Sequence, residues 1–80
     1  MIIKVLGTGC TKCNKLEEMT KEAVLELGLS AQIVKVKDID KISAYPILMT
    51  PALVINEEVV VSGKLPTKEE MQKLLLSKAS

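Results

Sequence analysis

Two thiols dominate the covalent chemistry open to this chain. Cys10 and Cys13 are its only cysteines, and they stand as Cys-x-x-Cys in the segment Gly9-Cys10-Thr11-Lys12-Cys13. There is no histidine anywhere, so a Cys–His dyad, imidazole acid–base catalysis and a histidine metal site are all excluded. Two close thiols without imidazole support two chemistries. They can exchange with disulfides, or they can bind a soft ion such as Cu(I) through two thiolates. A tetrahedral zinc site would need ligands from outside the chain. A purely structural disulfide is the bland alternative, but closing a loop of about four residues contributes only about 2 kcal/mol on the chain-entropy model. Inert buried thiols are the other bland reading.

The elements that must position these thiols follow from the periodicities. Ile2 to Leu6 is a short apolar run ending in Gly7-Thr8-Gly9, a strand followed by a loop. From Thr11 to Leu27 the period changes, and Leu16, Met19, Thr20, Ala23, Val24 and Leu27 form one helical stripe. Gly28 fits the C-terminal cap. Ala31 to Lys37 reads as a second strand, which can lie parallel to the first since a whole helix links them. Asp38 can cap a short helix carrying Ile39, Ile42 and Tyr45, which Pro46 stops near Ala44. Ile47 to Thr50 is connection. Ala52 to Ile55 and Val59 to Val61 read as a hairpin turning at Asn56-Glu57-Glu58. Thr67-Lys68-Glu69-Glu70 matches a capping box and opens a helix with Met71, Leu74 and Leu75 on one face. The order is βαβαββα: an α/β chain with a mixed four-stranded sheet.

In this order Cys10 sits where a helix begins. The unpaired N–H groups and partial positive charge of a helix N-terminus favour a thiolate, and Lys12 adds a cation within the motif. Cys13, within the first turn, can attack a mixed disulfide formed on Cys10. Thr50-Pro51 is the second notable feature. On local sequence alone its peptide bond is expected to be trans, because cis accounts for only about 5–6% of X–Pro bonds in folded proteins.

Composition narrows the field. The chain has 80 residues, read as one domain spanning 1–80, and 48% are apolar, which suits a soluble globular protein. A chain of this size buries about 60–65% of its unfolded surface, enough for a modest core. All 11 basic residues are lysines, against 10 acids, and Tyr45 is the sole aromatic, so nucleic acid is not an expected partner. No apolar run reaches the roughly 18 residues of a membrane span, and the Met1-Ile2-Ile3-Lys4 start lacks a signal-peptide pattern. A cytoplasmic location without membrane attachment is therefore expected. In that reducing setting a lone cysteine pair points to redox work or metal binding.

Cys-x-x-Cys at a strand–helix junction, the βαβαββα order and Thr-Pro before a hairpin together resemble the thioredoxin/glutaredoxin superfamily. More narrowly, Gly7-Thr8-Gly9-Cys10-Thr11-Lys12-Cys13, Thr50-Pro51-Ala52-Leu53-Val54 and Val61-Ser62-Gly63 look like the small thioredoxin-like "redox-active disulfide protein 2" family of archaea and bacteria. The likeness covers nearly the whole chain. It implies a minimal thioredoxin-like fold with helices on both sheet faces, and a thiol–disulfide oxidoreductase of the protein-disulfide reductase type. It implies Cys10 as nucleophile and Cys13 as resolving thiol. Lys12, Thr50 and Pro51 would support them, with Pro51 cis and facing the pair, and Gly9, Thr11, Met49, Ser62 and Gly63 would form the substrate groove. No cofactor beyond a redox-active Cys10–Cys13 disulfide is implied. The partners would be protein disulfides and a reductase, and the protein would act as a monomer. Some features depart from the pattern. The motif is Cys-Thr-Lys-Cys where thioredoxins proper have Trp-Cys-Gly-Pro-Cys. The first strand carries Lys4 and no carboxylate, so it offers Cys13 no proton acceptor. Pro46 stands where such relatives more often have Gly. Between Ser62 and Thr67 only Gly63 matches the Gly-Gly and acidic cap of glutathione-binding glutaredoxins, which argues against glutathione as a partner.

Two rivals remain at this level. Small copper-chaperone domains also place Cys-x-x-Cys after a first strand, but they end in a strand, whereas this chain ends in a capped helix. A binding module that grips a partner strand beside Cys10 without chemistry is the other.

Overall fold

The computed structural model describes residues 1–47 and 49–79, Ala79 by its backbone alone. Leu48, in the expected connection, and Ser80, the end of the expected domain, lie outside the described residues. The elements are β1 (Ile2–Leu6), α1 (Thr11–Leu27), β2 (Gln32–Val36), α2 (Ile39–Ser43), β3 (Ala52–Ile55), β4 (Glu58–Ser62) and α3 (Lys68–Ala79). This is the βαβαββα order, with boundaries moved by a residue at β2, α2 and β4. The four strands form one sheet in the order β2-β1-β3-β4. β1 and β2 are parallel, as the intervening helix permits, and β1–β3 and β3–β4 are antiparallel.

Alternation along the strands divides the apolar residues between two faces. On one face Ile3, Val5, Leu53, Ile55 and Val61 meet Leu16 and Ala23 of α1 and Met71 and Leu75 of α3. On the other, Leu6, Ala52 and Val54 meet Ile42 of α2. All four residues of the central strand β3 are buried, since helices cover both of its faces. The predicted α1 stripe holds: Leu16, Thr20 and Ala23 are buried, with Met19, Val24 and Leu27 packed at the margin. Thr20 is the one polar member, and its hydroxyl donates to the Leu16 carbonyl at 2.8 Å. The apolar burial of each such Leu, Ile, Val or Met contributes about 1.5–3 kcal/mol.

The hairpin differs in detail from its sequence reading. The turn consists of Asn56 and Glu57 alone, both in the left-handed region with φ 49° and 68°, and Glu58 already belongs to β4. Two consecutive residues at positive φ match the twist of the flanking strands. Asn56 is also tied to the start of β1, because its side chain accepts from the Ile2 amide at 2.9 Å and its own amide donates to the Ile2 carbonyl at 2.8 Å. Further along, Leu53 pairs with Val61 but Val54 pairs with Val59, so Val60 is an extra residue on β4. This bulge sends Val59 and Val61, two residues apart, to opposite sheet faces.

No helix among the described residues is long and apolar enough to cross a membrane.

Candidate redox site

The cysteine pair is built by the start of α1. After β1 the chain turns through Gly9, whose φ of 98° suits glycine and whose open surroundings make no other demand. Cys10 then takes the extended N-cap conformation, φ −69° and ψ 168°. Its carbonyl accepts from the Asn14 amide at 3.0 Å and begins the helical ladder. Its sulfur does what a Ser or Asp oxygen does at most helix starts: it accepts from the Cys13 amide, at 3.2 Å. Cys10 is exposed and Cys13 is buried, and both are free thiols. Thr11 and Lys12, between them, are exposed.

The two sulfurs share one environment and are driven apart by it. The Cys10 thiol is held below the ordinary thiol value, first by the hydrogen bond from the Cys13 side chain, then by backbone N–H groups of Cys13, Lys12 and Cys10 itself. The Lys12 contribution is that of its amide. Cys13 is pushed up, first by burial and then because its proton is engaged by Cys10. The result is an exposed sulfur disposed to be a thiolate and a buried one disposed to keep its proton. Among the described residues no group of three or more His, Cys, Asp or Glu side chains is placed to hold a metal ion.

The remaining candidate residues converge from β3 and β4. The Thr50–Pro51 peptide is cis, which is the isomer the resemblance implies and not the one local sequence favours. Pro51 is buried, and its carbonyl accepts from the Gly63 amide at 2.8 Å. Ser62, exposed, pairs with Ala52. Met49 is 64% exposed and lies against Gly63, where an added Cβ would be 3.1 Å from the Met49 Cβ. Met49 and Thr50 border an open depression with Ile42, Ser43 and Ile47. β1 and β3 pair through Leu6 and Ala52, so Pro51 enters the sheet at the end where β1 leaves it for Gly7 and Cys10. The two groups, Gly9 to Cys13 and Met49 to Pro51 with Ser62 and Gly63, thus occupy the same end of the sheet.

Two contacts escape the sequence reading. Gly7 is buried against Cys13, and the only advance signal was a second glycine in a short Gly-Thr-Gly loop. Lys4, the cation in place of a strand carboxylate, donates to Tyr45 Oη at 2.9 Å and pairs with Glu57. Its ammonium also lies 5.6 Å from the Tyr45 ring centroid. The acid that Lys4 holds is at the hairpin turn, the end of β3 away from the cysteines.

Comparison with known proteins agrees with this arrangement. A thioredoxin domain family model matches residues 1–76. A thioredoxin of Methanocaldococcus jannaschii is 42% identical over 77 residues, covering 96% of this chain and 88% of that protein. A thioredoxin of Methanothermobacter thermautotrophicus is 39% identical over 75 residues, covering 94% and 97%. An open sheet with Cys-x-x-Cys at the first helix start, matched along almost its full length, belongs to the thioredoxin domain family.

Proposed function

We propose that this thiol–disulfide oxidoreductase reduces protein disulfides, with Cys10 as nucleophile and Cys13 as resolving thiol. The observation that carries the assignment is the asymmetry of the pair: an exposed N-cap sulfur accepting the Cys13 amide at 3.2 Å, beside a buried thiol. The Cys10 thiolate attacks one sulfur of a partner disulfide. A Cys10–partner disulfide forms, and the other partner sulfur leaves as a thiolate and takes a proton from solvent. Cys13 then gives its proton to solvent and attacks the Cys10 sulfur. The Cys10–Cys13 disulfide forms and the second partner thiolate is released. The partner gains two electrons, the pair loses two, and a dithiol reductase must restore them. Lys12, Thr50 and Pro51 support the pair, and Gly9, Thr11, Met49, Ser62 and Gly63 line the approach. No cofactor beyond the cysteines takes part, and the protein acts as a cytoplasmic monomer.

The test separates this reading from the carriage of Cu(I). Replacing Cys13 with Ser leaves the attack intact and removes the resolving thiol. Cys13→Ser is expected to accumulate reducible covalent complexes in acid-quenched cells, and Cys10→Ser far fewer, as read on a non-reducing gel. Negligible trapping by both variants, with tight Cu(I) binding by the unsubstituted protein, would assign the pair to metal carriage instead.

A further inference from the structure

We infer that Gly7 is a positioning residue whose missing side chain is the seat of the Cys13 sulfur, keeping the second thiol buried while Cys10 alone faces a substrate. The inference rests on the resolving role proposed for Cys13 and adds the residue that holds it in reserve.

Three observations carry it. First, the backbone does not require glycine at this position. The glycines at positive φ are Gly9, Gly28 and Gly63, and Gly7 is not among them. Second, the space is taken. A Cβ on Gly7 would fall inside the contact radius of Cys13 Sγ and 2.9 Å from Cys13 Cβ, closer than real Cβ atoms approach. Third, both backbones are tethered. The Gly7 amide donates to the Val36 carbonyl at 3.0 Å, continuing the β1–β2 pairing beyond Leu6. Cys13 is held in the first turn of α1 by its amide on Cys10 Sγ. Rotation of the Cys13 side chain relieves the sulfur contact and takes the sulfur off its seat, and a backbone adjustment of about a tenth of an ångström or more relieves the Cβ contact. Within Gly7-Thr8-Gly9, one glycine therefore serves the backbone and the other serves a sulfur.

An expelled Cys13 would lose the burial that keeps it protonated and would compete with Cys10 for substrates. Attack by Cys13 would form a partner disulfide on the wrong sulfur and release the same partner thiolate, leaving Cys10 to resolve it.

The test compares Gly7→Ala with its parent in the Cys10→Ser background, where Cys13 is the only thiol. Alkylation of Cys13 by iodoacetamide at pH 7 is expected to accelerate about tenfold or more, the change in thiolate fraction carried by one unit of pKa. Leu75→Ala, a core truncation remote from the site, controls for general loosening and should accelerate it far less. An unchanged rate in folded Gly7→Ala, or an equal rise in Leu75→Ala, would overturn the seat. Should Gly7→Ala fail to fold, Gly7→Ala with Cys13→Gly removes both clashing atoms and should recover the melting temperature of Cys13→Gly alone. No recovery would also overturn the inference. These readouts need no substrate, so a failure of Cys13→Ser to trap partners would strike the proposed function and leave the seat standing.

Discussion

Cys10 owes its character to groups that reach it through short contacts. The foremost is the Cys13 thiol, followed by backbone amides, among them that of Lys12. The two neighbours can therefore be separated by substitution. Cys13→Ala removes the side-chain donor but keeps every amide, so the Cys10 pKa should rise clearly. Lys12→Ala keeps its amide and removes only an exposed ammonium, so the rise should be smaller. Ultraviolet thiolate absorbance against pH measures both, and a larger shift in Lys12→Ala would return the leading role to the lysine charge. Serine at position 13 retains a hydroxyl donor, which is why the trapping variant is Cys13→Ser and not Cys13→Ala.

The two long helices begin on local devices. α1 begins on the Cys10 sulfur and ends at Gly28, φ 65°, where the Gly28 amide donates to Leu25 and the Leu29 amide to Val24. α3 begins with a reciprocal pair. The Thr67 amide donates to Glu70 Oε1 at 2.9 Å, and the Glu70 amide donates to Thr67 Oγ1 at 3.1 Å. α3 carries Met71 and Leu75 into the core, so its first turn bears on the whole domain. Thr67→Ala should lower unfolding stability by about 1 kcal/mol, with Thr67→Ser close to the parent, as judged by urea denaturation. Equal midpoints for Thr67→Ala and the parent would mean that the box contributes nothing to α3.

At the scale of the molecule, three carboxylates set its behaviour in acid, and two of them, Glu17 and Glu57, tie distant parts together. Lys35 of β2, first, and Lys21 hold Glu17 below the usual carboxylate range, Lys4 does the same for Glu57, and the Thr67 amide for Glu70. A carboxylate with a lowered pKa in the folded state adds stability that is complete above its unfolded value, about 4.3. That stability is lost as pH falls through the folded value. Lys4, raised chiefly by its bond to Glu57, adds stability that is complete below the ordinary lysine value and lost only in strong alkali. The melting temperature should therefore fall as pH drops below about 4.3, and less steeply in Glu17→Gln. A midpoint that rose on acidification would contradict the assignment of these shifts.

The sequence by itself determined whatever depends on neighbours within a turn or a strand. The Cys-x-x-Cys spacing, the α1 stripe, the Gly28 cap, the Thr67 box and the order of elements all rest on interactions spanning a few residues. Those interactions have fixed periods and preferred residue types, so they can be read along the chain. The likeness of three short segments to a known family then supplied the cis bond at Pro51, which local preference opposes. Tertiary structure alone decided what depends on which strands become neighbours. The strand order is a matter of pairing between segments far apart in sequence, and the placing of Pro51 and Gly63 at the cysteine end, which only the family likeness implied, follows from it. The β4 bulge breaks strict alternation and parts Val59 from Val61. Lys4 finds Glu57, 53 positions away, only once β1 lies against the hairpin. Gly7 acquires a reason to be glycine only when α1 folds back and sets the Cys13 sulfur in the space a side chain would fill.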